Sequence, residues 1–381
     1  MRAVILAAGE GSRLRPLTVD KPKPMIRAAN KPILQHVVEA LTANGVKDIT
    51  IVLGYQRAKV QSYFGDGRKF GARITYTFQD VAHGTAAALA LVPRPDDAFL
   101  VLGGDNLVDP SLLKQAISAP GDGPAVVLHQ SESPQRYGVV RLDGDLVGEI
   151  VEKPRDPRSE WVNTGVYRFP AVFHDKVRAL AEAGVLGLPD VLQAAIREGT
   201  PVRAVRSEHL WADAVYPWDL LRMHNDLLRA GAGNRPAFPG VHVETSVMTG
   251  HDISVGAGTH LGAGTCVGDN VVIGANCVLE NCVIYDDAQI GPATIMRNTI
   301  VGEGARLGPR TTALSGACDV RTSDGWHHLE DFGSVIGEDV RLEGVNLLTP
   351  GTILGNKARV SAGARLSGRY DDGANVVQGG A

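Results

Sequence analysis

The stretch VGAGTHLGAGTCVGDNVVIGANCV, residues 255–278, sets Val255, Leu261, Val267 and Ile273 six residues apart, each followed by glycine. Glycine at that density is incompatible with a helix, because each one costs about 1 kcal/mol relative to alanine in a helix interior. A parallel β-helix has the opposite requirement: one aliphatic residue pointing inward on each flat side and small residues at the corners. The rhythm returns with slips in IGPATI (290–295), VGEGAR (301–306), LGPRTT (307–312) and VIGEDV (335–340). These residues predict a left-handed parallel β-helix of hexapeptide repeats over 241–381, interrupted at about 313–332. Such repeats expose flat faces and coil ends, so a homo-oligomer through the β-helix is expected, a trimer before other states.

Upstream of the repeats, RAGAGNRPAFPG (229–240) has the glycine and proline content of a linker, placed at 231–240. Before it the pattern is different. Short apolar runs at 3–6, 48–53, 73–78 and 98–104 read as strands, and helix-period segments at 32–43, 56–64, 84–91 and 110–118 lie between them. Strands separated by helices imply right-handed crossovers, hence an α/β domain over 1–230 with a Rossmann-like mixed, mainly parallel sheet. Ligands on such sheets bind at the carboxyl ends of the strands. The glycine turn after residue 8 and GGDN (103–106) both follow strand ends, so they are expected to share one crevice.

A chain of 381 residues with 44% hydrophobic and 21% charged residues can form two cores, which excludes disordered and collagen-like classes. The net charge of −4 provides no global basic field for nucleic acid. Anion recognition must then be local, and residues 13–31 hold Arg13, Arg15, Lys21, Lys23, Arg27 and Lys31 against Asp20 alone. The first apolar run stops at Ala8 without a small-residue cleavage site, and no apolar stretch reaches bilayer length. A cytoplasmic protein with no membrane or nucleic-acid partner is expected. Cys266, Cys277, Cys282 and Cys318 show no CxxC pairing and read as buried small side chains.

The turn GEGSR (9–13) must meet its ligand with backbone, and successive N–H groups in such a turn form an anion-binding nest to which Arg13 adds a charged donor. A simple strand-to-helix connection would use the same glycines. The turn is not a Walker loop, because no Lys-Ser/Thr follows and GxGxxG fails at Leu14.

The longer stretch GEGSRLRPLTVDKPKPM (9–25) resembles the nucleotide-binding signature of the sugar-1-phosphate nucleotidylyltransferases, G-x-G-[ST]-R-x-x-P-x-T followed by K-P-[KM]. Further landmarks of that family recur in order: GTAAAL (84–89), GGDN (103–106), EKP (152–154), NTGVY (163–167) and WADAVYPWDLL (211–221). With the β-helix, the likeness extends to fused N-acetylglucosamine-1-phosphate uridylyltransferase and glucosamine-1-phosphate acetyltransferase enzymes, and to single-chain glucose-1-phosphate thymidylyltransferases. The resemblance implies attack of a sugar-1-phosphate oxygen on the α-phosphorus of a nucleoside triphosphate, which needs cations and orientation more than a side-chain nucleophile.

Residue by residue, the resemblance implies Arg13 and Lys23 as catalytic cations on the triphosphate, and Asp105 and Asp213 as ligands for Mg²⁺. It implies nucleotide contacts from Ala7, Ala8, Gly9, Gly11, Ser12, Gln79, Gly84 and Thr85, and sugar-phosphate contacts from Gly138, Glu152, Lys153, Asn163 and Thr164. Gln79 matches the position that meets the imide edge of uracil or thymine, since its amide offers both a donor and an acceptor. UTP or dTTP is therefore expected, with glucose-1-phosphate or N-acetylglucosamine-1-phosphate as acceptor. His83 departs from the commoner apolar residue at the base-contacting turn.

The β-helix departs from the acetyltransferase pattern. TTALSGACDV (311–320) stands where relatives carry a catalytic Arg-His-Asp stretch, and LEDFGSVIG (329–337) replaces their lysine-bearing run. Asn346 keeps a substrate-side register. The single transferase activity is the leading expectation; a bifunctional acetylating enzyme and a non-catalytic nucleotide-sugar-sensing subunit are the alternatives. Retention of Arg13, Lys23, Asp105, Lys153 and Asp213 favours catalysis.

Overall fold

The structure, a computed structural model, describes residues 1–81, 83–234 and 236–377, so Arg235 of the expected linker and residues 378–381 of the expected β-helix lie outside it. The chain divides into two compact units. The first comprises Met1–Glu10, Pro22–Met25 and Ile33–Asp213, and the second Gly11–Lys21, Ile26–Pro32 and Ala214–Ala381.

The first unit is built on a nine-stranded sheet in the order Arg73–Phe78, Asp48–Leu53, Arg2–Ala7, Phe99–Gly103, Trp161–Phe169, Ala125–Gln130, Arg203–Arg206, Leu146–Glu152, Gly138–Asp143. The first four strands are mutually parallel. Trp161–Phe169 runs antiparallel to Phe99–Gly103 and Ala125–Gln130 and also pairs antiparallel with Gly138–Asp143, which closes an antiparallel hairpin with Leu146–Glu152. Unbroken apolar runs are what a sheet covered on both faces demands, because successive side chains point to opposite sides. Ile5, Ile51, Leu100 and Leu102 enter one buried core, and their neighbours Val4, Val52, Phe99 and Val101 enter the other.

The helices cover these faces with their apolar stripes. Ile33–Ala43 buries Leu34, Val37, Val38 and Leu41, spaced as one helical face requires. It ends at Asn44-Gly45, where Gly45 takes a φ of 76° that side-chain-bearing residues avoid. Pro110–Ile117 starts with Asp109, whose side chain accepts a hydrogen bond from Ser111 N at 2.6 Å. Proline stands in the helix's first turn.

The second unit carries three parallel sheets of seven short strands each, the architecture of a left-handed parallel β-helix. Leu261, Val267 and Ile273 are buried in its core, with Val255 packed against it in the first coil. Leu261 pairs with Leu279 three hexapeptides on, and Leu279 pairs with Met296 one residue sooner, which is the slip seen in the repeat. Between the rungs Thr312–Ala313 and Ser334–Ile336 the chain leaves the coil as an antiparallel hairpin, Gly316–Thr322 with Gly325–Phe332. Helix Pro217–Leu227 belongs to this unit and begins where Asp219 accepts the N–H groups of Val215 and Tyr216, both at 2.9 Å. All four cysteines are free thiols; Cys266, Cys277 and Cys282 are buried as expected, whereas Cys318, on the hairpin, is only partly so.

Candidate functional site

In the first unit two carboxylates and one ammonium converge. Lys23 Nζ lies 2.6 Å from Asp105 Oδ2 and 2.9 Å from Asp213 Oδ1. The local folding that achieves this is a two-stranded antiparallel ribbon, Asn106–Val108 with Trp211–Asp213, in which Asp213 stands opposite Asn106 and so beside Asp105. Lys23 enters on the short 3-10 turn Lys23–Met25. Burial alone would lower the pKa of this ammonium, but the two carboxylates reverse the effect and hold it above the usual lysine range. Oxygen donors of negative charge at one point are what a hard divalent cation such as Mg²⁺ requires, so Asp105 and Asp213 fit that ion chemically.

Other candidates cluster at the carboxyl ends of the parallel strands. Ala7 ends the strand Arg2–Ala7, and Gly104 comes so near it that an added Cβ would lie 2.9 Å from Ala7 Cβ. A Cβ on Gly54 would lie 2.6 Å from the carbonyl oxygen of Ala8. Gly9 is exposed. Gln79 is buried, and its Nε2 points at Gly84 O, 3.5 Å away. Gly84 has φ 97°, and a side chain there would strike Leu186 O at 2.4 Å. Thr85 Oγ1 accepts from Leu188 N at 2.9 Å, so the first residue of helix Thr85–Ala90 holds the first N–H of helix Leu188–Arg197.

The sugar-side candidates form a second group. Glu152 pairs across the hairpin with Gly138, and a Cβ on Gly138 would meet Glu152 Oε2 at 2.9 Å. Burial raises the pKa of Glu152, Lys153 opposes the rise and Asp190 adds to it. Lys153 adopts φ 45°, with Nζ 3.8 Å from Glu152 Oε1. Asn163 donates to Tyr167 OH at 2.7 Å and accepts from Gly165 N at 2.9 Å; Thr164 Oγ1 donates to Val127 O at 2.8 Å. Both side chains therefore hold the irregular segment of strand Trp161–Phe169, between the registers at Asn163 and Tyr167.

Gly11, Ser12 and Arg13 belong to the second unit. Gly11 is left-handed at φ 74°, and its carbonyl accepts from Leu14 N at 3.0 Å and Thr18 Oγ1 at 2.8 Å. Ser12 opens the 3-10 turn Ser12–Leu14. Arg13 lies 3.7 Å from Asp324 at the tip of the hairpin. Asp324 also accepts from Tyr216 OH at 2.8 Å and Thr322 Oγ1 at 2.5 Å. Burial would raise the Asp324 pKa, but hydrogen bonds from Thr322, Tyr216 and His327, with the charge of Arg13, pull it down to about 2.

Sequence reasoning did not anticipate several of these partners. Asn106 Nδ2 and Trp211 Nε1 both donate to Thr164 O, at 3.2 and 3.0 Å, and tie the ribbon to the sugar-side strand. Both residues lie inside quoted motifs, but nothing in their spacing gives the ribbon's register. Lys21 and Arg27, members of the basic cluster in residues 13–31, are ion-paired: Lys21 with Glu303 and Glu338, Arg27 with Asp286 at 2.6 Å.

Comparison with known proteins agrees with this architecture. Residues 2–230 match the family model described as nucleotidyl transferase, and residues 243–367 match the GMPPB C-terminal domain. The chain is 33% identical to the low-salt glycan biosynthesis nucleotidyltransferase Agl11 of Haloferax volcanii, over 60% of this chain and 66% of that protein. It is 35% identical to the bifunctional protein GlmU of Methanocaldococcus jannaschii, over 60% of this chain and 54% of the relative. A crystal structure from Bacillus anthracis, provisionally assigned as a glucose-1-phosphate thymidylyltransferase and complexed with a sucrose, superimposes with a TM-score of 0.55. That match is 30% identical in sequence and covers 59% of this chain and 94% of that one.

Proposed function

Because the chain belongs to the nucleotidyl transferase family, we propose that it is a sugar-1-phosphate nucleotidylyltransferase forming a UDP- or dTDP-sugar. A phosphate oxygen of glucose-1-phosphate or N-acetylglucosamine-1-phosphate attacks the α-phosphorus of UTP or dTTP, a new P–O bond forms, and pyrophosphate leaves. The observation that carries the proposal is the convergence of Asp105, Asp213 and Lys23 on one point.

Two anionic reactants repel, so the largest contribution available to the protein is fixed positive charge where negative charge gathers. Lys23 is the proposed cation at the reacting phosphates and Arg13 a further phosphate-binding cation. Mg²⁺ bound by Asp105 and Asp213 would supply charge neutralisation at the triphosphate oxygens. Ala7, Ala8, Gly9, Gly11 and Ser12 are proposed to meet the nucleotide through backbone, and Gln79, Gly84 and Thr85 to meet the base. Gly138 leaves space beside Glu152, and Glu152, Lys153, Asn163 and Thr164 are proposed to form the sugar-phosphate end.

The test is pyrophosphate release by the purified chain with Mg²⁺, a panel of nucleoside triphosphates and a panel of sugar-1-phosphates. Release with UTP or dTTP and a hexose-1-phosphate, lost in Asp105→Ala, is the expected result. No release with any pair, or equal release by Asp105→Ala, would refute it.

A further inference from the structure

His242 and His260 stand opposite one another on adjacent rungs of the β-helix, paired in register in parallel strands. Parallel neighbours in register stack their side chains at the strand spacing, and the two imidazole centroids are 4.8 Å apart. Glu244 follows directly on the two-residue strand His242–Val243. Its Oε1 lies 3.1 Å from His260 Nε2, and its Oε2 accepts from Ala263 N at 3.1 Å. One ligand atom from each of the three residues lies within 4.8 Å of the others.

We propose that His242, Glu244 and His260 bind one divalent transition-metal ion of the zinc class, clasping the first two coils of the β-helix. Around a single tetrahedral ion with bonds of ~2.0–2.1 Å, ligand atoms stand about 3.3–3.5 Å apart. The Glu244–His260 pair, at 3.1 Å, has to open only slightly to reach that separation, and His242, which is exposed, closes the remainder by turning its ring. Two imidazoles and one carboxylate are a borderline donor set that selects zinc-like ions over Mg²⁺ and Ca²⁺, which take oxygen ligands. The backbone hydrogen bond from Ala263 fixes the carboxylate in advance, the outer support that metal ligands need.

The position gives such an ion a structural consequence. The His242–Val243 strand is the terminal strand of its sheet and has a rung on one side only. Terminal repeats are the weakest part of a stacked array because they lack one neighbour. An ion ligated by both strands supplies a cross-link where a further rung would otherwise supply hydrogen bonds.

The experiment uses the full chain, freed of metal by chelation and dialysis, and titrated with Zn²⁺ by calorimetry and with Co²⁺ by visible absorption. One ion per chain, a melting temperature raised by Zn²⁺, and no displacement by excess Mg²⁺ are expected. His242→Ala and His260→Ala should each weaken binding at least about tenfold and remove the thermal gain. His242 is exposed, so its variant folds even if His260→Ala does not; far-UV circular dichroism of the metal-free proteins checks this. Absence of binding, or binding unchanged in His242→Ala, overturns the proposal. Neither result bears on pyrophosphate release, which tests a separate group of residues.

Discussion

Lys23 is the residue at which the proposed chemistry and the stability of the fold are tested together. Its ammonium neutralises two carboxylates that would otherwise repel each other. Replacing it with methionine keeps the stem and removes the charge. The expected outcome is a fall in kcat of about 10²–10³-fold, the loss typical of one preorganised charge-stabilising donor. The same variant should melt below the wild type in EDTA and recover part of the difference in Mg²⁺, because a cation can replace the lost charge between Asp105 and Asp213. Equal melting of the two proteins in EDTA would show that the ammonium does not offset the repulsion. Asp324 provides a pH test at the same scale. Its carboxyl is depressed from 3.8 to about 2, so its contribution to stability is present above pH 3.8 and is lost as pH falls through about 2. The group is partly exposed and screened, which limits that contribution to below about 1 kcal/mol. Urea melts should therefore find wild type and Asp324→Asn differing by a small constant amount from pH 8 to 5, and converging below pH 3.

Among the elements, two glycines predict opposite kinds of failure. A Cβ on Gly138 would come too close only to the far end of the Glu152 side chain, which can swing away at little cost, and would touch Asn163 Cβ and Ile150 Cγ2 at ordinary van der Waals distance. Gly138→Ala should therefore melt like the wild type while raising KM for the sugar-1-phosphate about tenfold and leaving KM for the nucleotide unchanged. A Cβ on Gly274 would lie 2.5 Å from Pro292 N, part of the backbone of the next coil. Backbone cannot turn aside, so Gly274→Ala should cost roughly 1–3 kcal/mol, read as a lower melting temperature with near-normal folded-state kinetics. The elements also divide into those legible in the sequence and those not. Asp48–Leu53 falls where its apolar run places it, because burial on both faces admits few polar residues, whereas Arg73–Phe78 is the edge strand, buries Ile74 alone, and is marked by β-branched and aromatic residues. The hexapeptide repeat was equally open, since its period is the coil's own geometry. The ribbon joining Asn106–Val108 to Trp211–Asp213 was not legible, because strands of three residues carry no period and their pairing spans half the first unit. Motif resemblance named Asp105 and Asp213 together as metal ligands, but not the Lys23 ammonium that the register of the ribbon sets against both.

For the molecule as a whole, the remaining question is whether the β-helix adds a second reaction. Acetyl transfer to an amino group needs a base presented to the acceptor. In the second unit Asn346, the residue in substrate-side register, is buried, with its amide accepting from Gly344 N at 3.0 Å and donating to Ser361 O at 2.7 Å. Ser315 hydrogen-bonds to Asp331 and Asn298, closing a ladder that runs through Asn281 to Asn225 on helix Pro217–Leu227. His327 packs against the rings of Tyr216 and Trp218, and its Nε2 lies within hydrogen-bonding distance of Thr322 and Asp324. These polar groups brace the corner of the coil and both the root and the tip of the hairpin. His328 is the exposed imidazole there, and it is paired with Asp319 on the neighbouring hairpin strand. Incubation with acetyl-CoA and glucosamine-1-phosphate should thus release free thiol at the background rate, in wild type and in His328→Ala alike. Thiol release above background that disappears in His328→Ala would instead assign the hairpin a catalytic base and make the β-helix an enzyme in its own right.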